Sequence, residues 1–111
     1  MKVCLKIHLE NEEGGFCLGP GCRDLLRLID ATGSVASAAG QMELSYSKAW
    51  KMIREAEKGF GKSLVERSCG GQCGGKACLT EQASRLLEGY DRLSMELNKL
   101  AKELGKKTFE S

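Results

Sequence analysis

The first ten residues alternate between apolar and polar side chains, and the apolar ones are Val3, Leu5, Ile7 and Leu9. A period of two is typical of a strand with one buried face. Residues 11–15 are turn formers, and Phe16 and Leu18 can begin a returning strand. The opening of the chain therefore predicts a β-hairpin.

The pattern changes to helical spacing from residue 22 onward. Apolar side chains recur every three or four residues over 22–31, which predicts a first helix that Gly33 ends. A second, short helix is expected over 35–42, because Ser34 is a good N-terminal cap and most residues after it are small. The Gly-Pro-Gly at residues 19–21 is expected to separate the hairpin from the first helix.

The segment after the second helix is typical of a helix-turn-helix. Glu43 and Leu44 make the turn, at a place where glycine is usual, and Ser45 caps a third helix over about 46–60. At about 100° per residue, one face of this helix is basic and the other apolar. The basic face carries Ser47, Lys48, Lys51, Arg54 and Lys58, and the apolar face Tyr46, Ala49, Trp50, Ile53, Ala56 and Phe60. Tyr46 and Trp50 are therefore expected mainly in the core.

Two short strands and a glycine-rich tip follow the third helix. Residues 63–68 and 77–79 are expected to pair, and 69–76 between them contain four glycines. The tip lacks the strand-to-helix setting and the terminal Gly-Lys-Ser or Gly-Lys-Thr of a nucleotide phosphate loop. A glycine-rich hairpin beside a helix-turn-helix is instead a wing, whose backbone can approach nucleic acid closely.

A long helix capped by Thr80 is predicted over 80–104, and residues 105–111 are expected to form a frayed tail. Apolar side chains on this helix are spaced alternately by three and four residues, which is typical of a dimerisation seam. The residues expected in that seam are Tyr90, Leu93, Leu97, Leu100 and Leu104. Residues 1–111 are thus expected to form one domain, mainly α with small β elements: a winged helix-turn-helix with an N-terminal β-hairpin.

The distribution of charge supports this interpretation over residues 45–76. The formal charge of the chain is +2, but 45–76 carries seven Lys or Arg residues against three Glu. This concentration favours a nucleic-acid partner. No signal peptide or run of about 18 apolar residues is present, so a cytoplasmic protein without membrane contact is expected. The single histidine, His8, lies on a polar face and no Ser/His/Asp set is suggested, so neither an enzyme nor a cofactor is expected.

Six cysteines suggest free thiols or metal ligands more readily than disulfides in a reducing compartment. Cys69, Cys73 and Cys78 lie in or beside the wing, but none belongs to a C-x-x-C pair. They are weak candidates for metal binding or for a reversible disulfide that alters the wing. The alternative is that they are tolerated free thiols.

These motifs together resemble one known family. The segments that carry the likeness are Gly19-Pro20-Gly21, Thr32-Gly33-Ser34, Ala38-Ala39, Ser45-Tyr46-Ser47-Lys48-Ala49-Trp50, Leu64-Val65-Glu66 and the glycine-rich tip. They resemble the N-terminal DNA-binding domain of ModE-type molybdate-responsive regulators, which is related to the winged helix of LysR-type regulators. The resemblance implies a winged helix-turn-helix that binds DNA as a dimer. Because the sequence ends at Ser111, molybdate binding by C-terminal domains is not expected.

The expected function is sequence-specific binding of double-stranded DNA as a homodimer that regulates transcription, with helix 46–60 in the major groove and the wing 69–76 on the backbone. The residues expected to contact the groove and its phosphates are Ser45, Ser47, Lys48, Lys51 and Arg54. Those expected on the DNA backbone are Ser34, Arg67, Gly71, Gln72 and Lys76. Tyr46, expected mainly in the core, could from the start of its helix also reach a phosphate. Two alternatives stay open: a winged-helix adaptor that binds protein, and a thiol- or metal-responsive regulator that uses the wing cysteines.

Overall fold

The structure, a computed structural model, describes residues 1–67 and 76–110. In chain order the elements are β1 (Leu9–Glu10), β2 (Phe16–Leu18), α1 (Pro20–Thr32), α2 (Val35–Gln41), α3 (Tyr46–Phe60), β3 (Val65–Arg67), β4 (Ala77–Leu79) and α4 (Glu81–Phe109). β1 pairs with β2 and β3 with β4, each as an antiparallel two-stranded sheet. This arrangement confirms the expected mainly helical fold with small β elements and an N-terminal hairpin.

Most of the strand expected over residues 3–9 is wrong. Only Leu9–Glu10 pairs with β2, and residues 1–8, here called the N-terminal strap, lie along α4 instead. Asn98 replaces a partner strand: its Oδ1 accepts from the backbone N–H of Leu5 at 2.7 Å and its Nδ2 donates to the Leu5 carbonyl at 3.1 Å. The Tyr90 hydroxyl donates to the carbonyl of Ile7 at 2.8 Å. An extended segment held by side chains thus shows the same alternation as a strand.

The Gly-Pro-Gly segment does not separate the hairpin from the first helix as expected, because α1 begins at Pro20 itself. Proline suits the first position of a helix, where its missing N–H would have had no helical partner and its fixed φ is already helical. α1 ends as predicted at Gly33, which adopts φ 73° and donates its N–H to the Ile29 carbonyl.

Both caps predicted for the helix-turn-helix are confirmed. The Ser34 side chain accepts from the N–H of Ser37, and the Ser45 side chain accepts from that of Lys48. Glu43 lies between the two helices at φ 56°, in the left-handed region where glycine carries no steric cost. The turn therefore keeps its usual geometry with a residue that is strained there.

One core joins the three-helix unit to the strands and to the start of α4. Its fully buried large side chains are Leu18, Leu25, Leu26, Ile29, Ile53, Leu64 and Leu87. β2 lies so close to the last turn of α3 that a Cβ at Gly59 would collide with the Phe16 carbonyl. The hairpin therefore positions the end of α3 through backbone contact.

α4 continues to Phe109, so the tail expected over 105–111 is wrong for residues 105–109. Lys106 and Lys107 lie in its last turn, where cations interact favourably with the helix dipole. Val3 of the strap packs close to Gly105 and adds tertiary support. No helix in the described part of the chain is long and apolar enough to span a membrane.

Candidate nucleic-acid interface

α3 presents an exposed polar face above a buried apolar one. Ala49, Ile53 and Ala56 are completely buried against the core. The exposed residues on and just before the helix include Ser45, Ser47, Lys48, Lys51 and Arg54, all five of those predicted to contact the groove. Among the described residues, no ion pair involves the two lysines or the arginine. Their charges are therefore available to a ligand.

The prediction that Tyr46 and Trp50 belong mainly to the core is wrong for Tyr46, whereas Trp50 is partly buried and packs against the core. Tyr46 is 49% exposed and Trp50 is half-buried. The guanidinium carbons of Arg54 and Arg67 lie 5.1 and 5.6 Å from the centroid of the Trp50 ring. Arg67 also donates from Nη2 to the Tyr46 hydroxyl at 3.0 Å. These four residues form an aromatic–arginine cluster at the surface.

The side chains of Glu57 and Thr80 hold the start of β3 from two sides. The Glu57 carboxylate on α3 accepts from the N–H groups of Leu64 at 2.8 Å and Val65 at 3.4 Å. On the other side, the Thr80 hydroxyl donates to the Ser63 carbonyl at 2.8 Å. Because β3 begins at Val65, these bonds set the direction in which Arg67 leaves the sheet. Arg67 is thereby positioned on the same side as the exposed face of α3.

The start of α2 lies beside the aromatic–arginine cluster. Ser34, Tyr46, Arg67 and Ala77 line a small cleft of about 130 Å³. The Ala77 N–H donates to the Gly33 carbonyl at 2.9 Å, and the Lys76 side chain lies over the same glycine. Three of the predicted backbone contacts, Ser34, Arg67 and Lys76, are thus brought together. The other two, Gly71 and Gln72, lie outside the described residues.

Residues 24–84 match the model of bacterial regulatory helix-turn-helix proteins of the lysR family. The chain belongs to this family. The matched segment begins in α1, includes α2 and α3, and ends after the first residues of α4. It therefore contains every described residue of the candidate interface.

Individual relatives of this LysR-family chain carry regulator and molybdenum-related names. It is 41% identical over 69 residues to the transcriptional regulator ModE of Haemophilus influenzae, which is 62% of this chain and 27% of that protein. It is 40% identical over 70 residues to the DNA-binding transcriptional dual regulator ModE of Escherichia coli, 63% of this chain and 27% of that protein. The molybdenum-pterin-binding protein MopA of Rhodobacter capsulatus is 37% identical over 79 residues, with 68% and 30% coverage. The chain thus spans less than a third of these relatives.

The predicted dimerisation residues of the LysR-family chain separate into two groups. Leu93, Leu100 and Leu104 are 44%, 51% and 51% exposed, and Leu97 is half-buried. These four leucines are called the α4 seam below. Tyr90 is only 5% exposed and bonds to the strap, so its expected place in a dimer seam is wrong. It packs in the core of its own domain instead.

The cysteines of this LysR-family chain differ strongly in environment. Burial raises the pKa of the Cys22 thiol to about 12, and that of Cys17 is also raised, chiefly by burial. Cys78 is disulfide-bonded, so the expectation of free thiols or metal ligands rather than disulfides is wrong for this cysteine; Cys69 and Cys73 lie outside the described residues. Within 1–67 and 76–110, no three His, Cys, Asp or Glu side chains are grouped so that they could hold a metal ion. The metal and redox hypotheses for the wing cysteines stay predictions.

Sequence reasoning missed an ion-pair network between α1 and α4. Arg23 binds Asp91 through two bonds, Nε to Oδ1 at 2.8 Å and Nη2 to Oδ2 at 3.0 Å. Arg27 donates to the same Oδ2 at 2.9 Å. The two arginines are one helical turn apart, a spacing that indicates a shared face, but nothing in the sequence points to an acidic partner more than 60 residues away.

Proposed function

We propose that this chain is a transcriptional regulator that binds double-stranded DNA sequence-specifically, with α3 in the major groove. The observation that carries the proposal is the exposed face of α3, whose cations have no ionic partner among the described residues and lie beside the aromatic–arginine cluster. A helix fits the major groove, and Lys and Arg side chains there bind phosphates and base edges. Membership of a regulatory helix-turn-helix family supports the same function.

The proposed contacts divide according to chemistry. Ser45 and Ser47, near the N-terminus of α3, can place hydroxyl groups and backbone amides against phosphates. Lys48 and Lys51 supply mobile charges for phosphates, whereas the guanidinium of Arg54 can bind the two acceptors of a guanine. Arg67, held by Tyr46 and Trp50, is aimed at the adjacent DNA backbone, and Ser34 and Lys76 extend that contact. Trp50 restricts both arginines before DNA arrives, so less side-chain entropy is lost on binding.

We further propose that the chain acts as a homodimer whose α4 seams pack in antiparallel orientation. The exposed leucines of the seam supply the apolar contact. Under a two-fold axis that crosses α4 between Asn98 and Lys99, Leu97 faces Leu100 of the other copy and Leu93 faces Leu104. Each pair occurs twice, so the four leucines of one copy are matched by those of the other. Such a dimer would present two α3 helices to two half-sites.

The experiment compares DNA affinity at several salt concentrations after selecting sites from random duplex DNA with the purified protein. Lys51→Ala and Arg54→Ala should each weaken binding and reduce the slope of log affinity against log salt by about 0.9 for each phosphate that the protein no longer neutralises. Arg54→Ala should also relax base preference at one position, by about 1–3 kcal/mol. Lys6→Ala removes an equal charge from the strap, away from α3, and serves as the control.

The salt slope also separates DNA binding from the adaptor alternative. If neither α3 variant changes the slope relative to Lys6→Ala, the proposed face does not bind DNA. If no duplex shows salt-dependent affinity at all, the chain is better described as a protein-binding adaptor. If both variants keep their DNA affinity and their sequence preference, α3 does not recognise the DNA sequence.

A further inference from the structure

A cavity of about 620 Å³ lies between the N-terminal strap and the C-terminal half of α4. Its apolar lining includes Met1, Val3, Met95 and Phe109. Met95 is 65% exposed and Phe109 58%, so these large apolar side chains border an open space rather than a packed core. None of the four seam leucines and no residue of α3 lines this cavity. It is therefore distinct from the four seam leucines and from the proposed DNA face, and it shares Val3, Gly105 and Phe109 with the groove beside the seam.

The rim of the cavity is strongly basic. Lys2, Lys99, Lys102 and Lys106 line it, against the single carboxylate of Glu110. None of the four lysines forms an ion pair with any residue that the structure describes. Four ammonium groups against one carboxylate around an apolar floor attract a molecule that is both apolar and anionic.

We propose that this cavity binds a small anionic amphipathic molecule, with its apolar body against Val3, Met95 and Phe109 and one carboxylate or comparable anionic head among the lysines. The volume falls in the range of about 300–1,000 Å³ that is usual for sites of small ligands. The site is mainly apolar with a few convergent polar groups at its edge, which is also usual for such sites.

Charge argues against a second copy of the chain as the occupant. A two-fold contact through this face would bring the same surface of each copy together. Lysines would then face lysines, with only Glu110 of each copy to offset them. The α4 seam, by contrast, presents leucines to its copy. A small anionic ligand satisfies the lysines without that repulsion.

The test uses a matched pair of fluorescent probes on the full chain. Anilinonaphthalene sulfonate combines a fused aromatic body with one anionic group, and N-phenylnaphthylamine is the same body without the charge. The anionic probe should bind saturably, with one probe per chain, and several-fold more tightly than the neutral one. Lys102→Gln and Lys106→Gln should each weaken the anionic probe by about two- to fivefold and leave the neutral probe unchanged.

Lys107→Gln is the control, because Lys107 neighbours Lys106 on α4 but does not line the cavity. Circular dichroism checks that each variant keeps its helix content; glutamine has about the same helix propensity as lysine. Equal affinity for both probes, no effect of either lysine substitution, or an equal effect of Lys107→Gln would overturn the proposal. So would probe binding that disappears as the chain is concentrated, since a second copy would then cover the cavity.

Discussion

Asp91 joins α4 to α1 through ion pairs with Arg23 and Arg27, and replacing it measures how much these pairs stabilise the fold. Asp91→Asn keeps the shape of the side chain but removes the charge that three arginine hydrogen bonds share, two from Arg23 and one from Arg27. The side chains of Arg23, Arg27 and Asp91 are 34%, 36% and 32% exposed. Solvent therefore screens the interaction without cancelling it.

The magnitude follows from this partial exposure. Exposed ion pairs contribute about 0.2–1 kcal/mol each, and bidentate arginine–carboxylate geometry belongs at the upper end. Two such pairs sharing Asp91 should contribute about 1–2 kcal/mol to the free energy of unfolding at neutral pH. For a domain of this size, removing them should lower the melting temperature by roughly 5–10 °C. Arg85→Gln, which breaks the highly exposed Arg85–Glu81 pair, should cost less than about 0.5 kcal/mol.

The pH dependence supplies a second check. Hydrogen bonds from Arg23, and then from Arg27, lower the pKa of Asp91 below its ordinary value, although desolvation opposes them. A carboxylate whose pKa is lowered on folding stabilises the fold above its unfolded pKa of about 3.9. That stability is lost as the pH falls through the folded pKa. The difference in unfolding free energy between the wild type and Asp91→Asn should therefore be constant from about pH 5 to 7 and shrink below about pH 4.

The assay is urea denaturation followed by circular dichroism at a fixed chain concentration, so that association does not change between samples. If Asp91→Asn lowers the free energy of unfolding by no more than Arg85→Gln does, the network of Arg23, Arg27 and Asp91 does not stabilise the fold. This network is called the Asp91 clamp below. A difference that persists undiminished to pH 3 would show that the charge of Asp91 is not its source.

Two other substitutions test the interface and the seam. Trp50→Leu removes the ring beneath Arg54 and Arg67. At about 0.5–1 kcal/mol for each of the two cation–π contacts, it should weaken DNA binding about five- to thirtyfold in an anisotropy titration. An unchanged affinity would show that the ring does not position the arginines. Leu100→Glu places a charge in the α4 seam and should weaken self-association more than tenfold by analytical ultracentrifugation. Met95→Glu, on the same helix but outside the seam, should not weaken self-association, although Met95 is 65% exposed and Leu100 51%. Equal effects of the two substitutions would reject the seam.

The sequence was most informative where structure depends on nearest neighbours. Ser34, Ser45 and Gly33 were placed correctly because a helix end needs a cap within its own first or last turn. The buried stripe of α3 followed from its period, since Ala49, Ile53 and Ala56 lie on one side. These features require no knowledge of distant residues.

Sequence reasoning failed where distant segments decide the environment. Alternation over 3–9 indicates one covered face, but it does not say whether the cover is a strand or, as here, α4 with Asn98. Trp50 lies only about 60° around the helix from Ser47, at the border of the two faces. Arg67 from β3 covers the part of the ring that the core leaves open, and a one-dimensional pattern contains no such partner.

In α4, one apolar spacing covers both residues that pack in the core and residues that form the exposed seam. Tyr90 continues the period of the seam, yet the strap and the core cover it, so the open part begins at Leu93. In the proposed dimer, the four leucines from Leu93 to Leu104 therefore have to select the register. A slip by one heptad would move one copy by about 10 Å along the helix. That is close to a third of the roughly 34 Å turn that separates adjacent major-groove half-sites. Because the Asp91 clamp ties α4 to the helix-turn-helix, the register of the seam would set the spacing of the DNA sites that the dimer can bind.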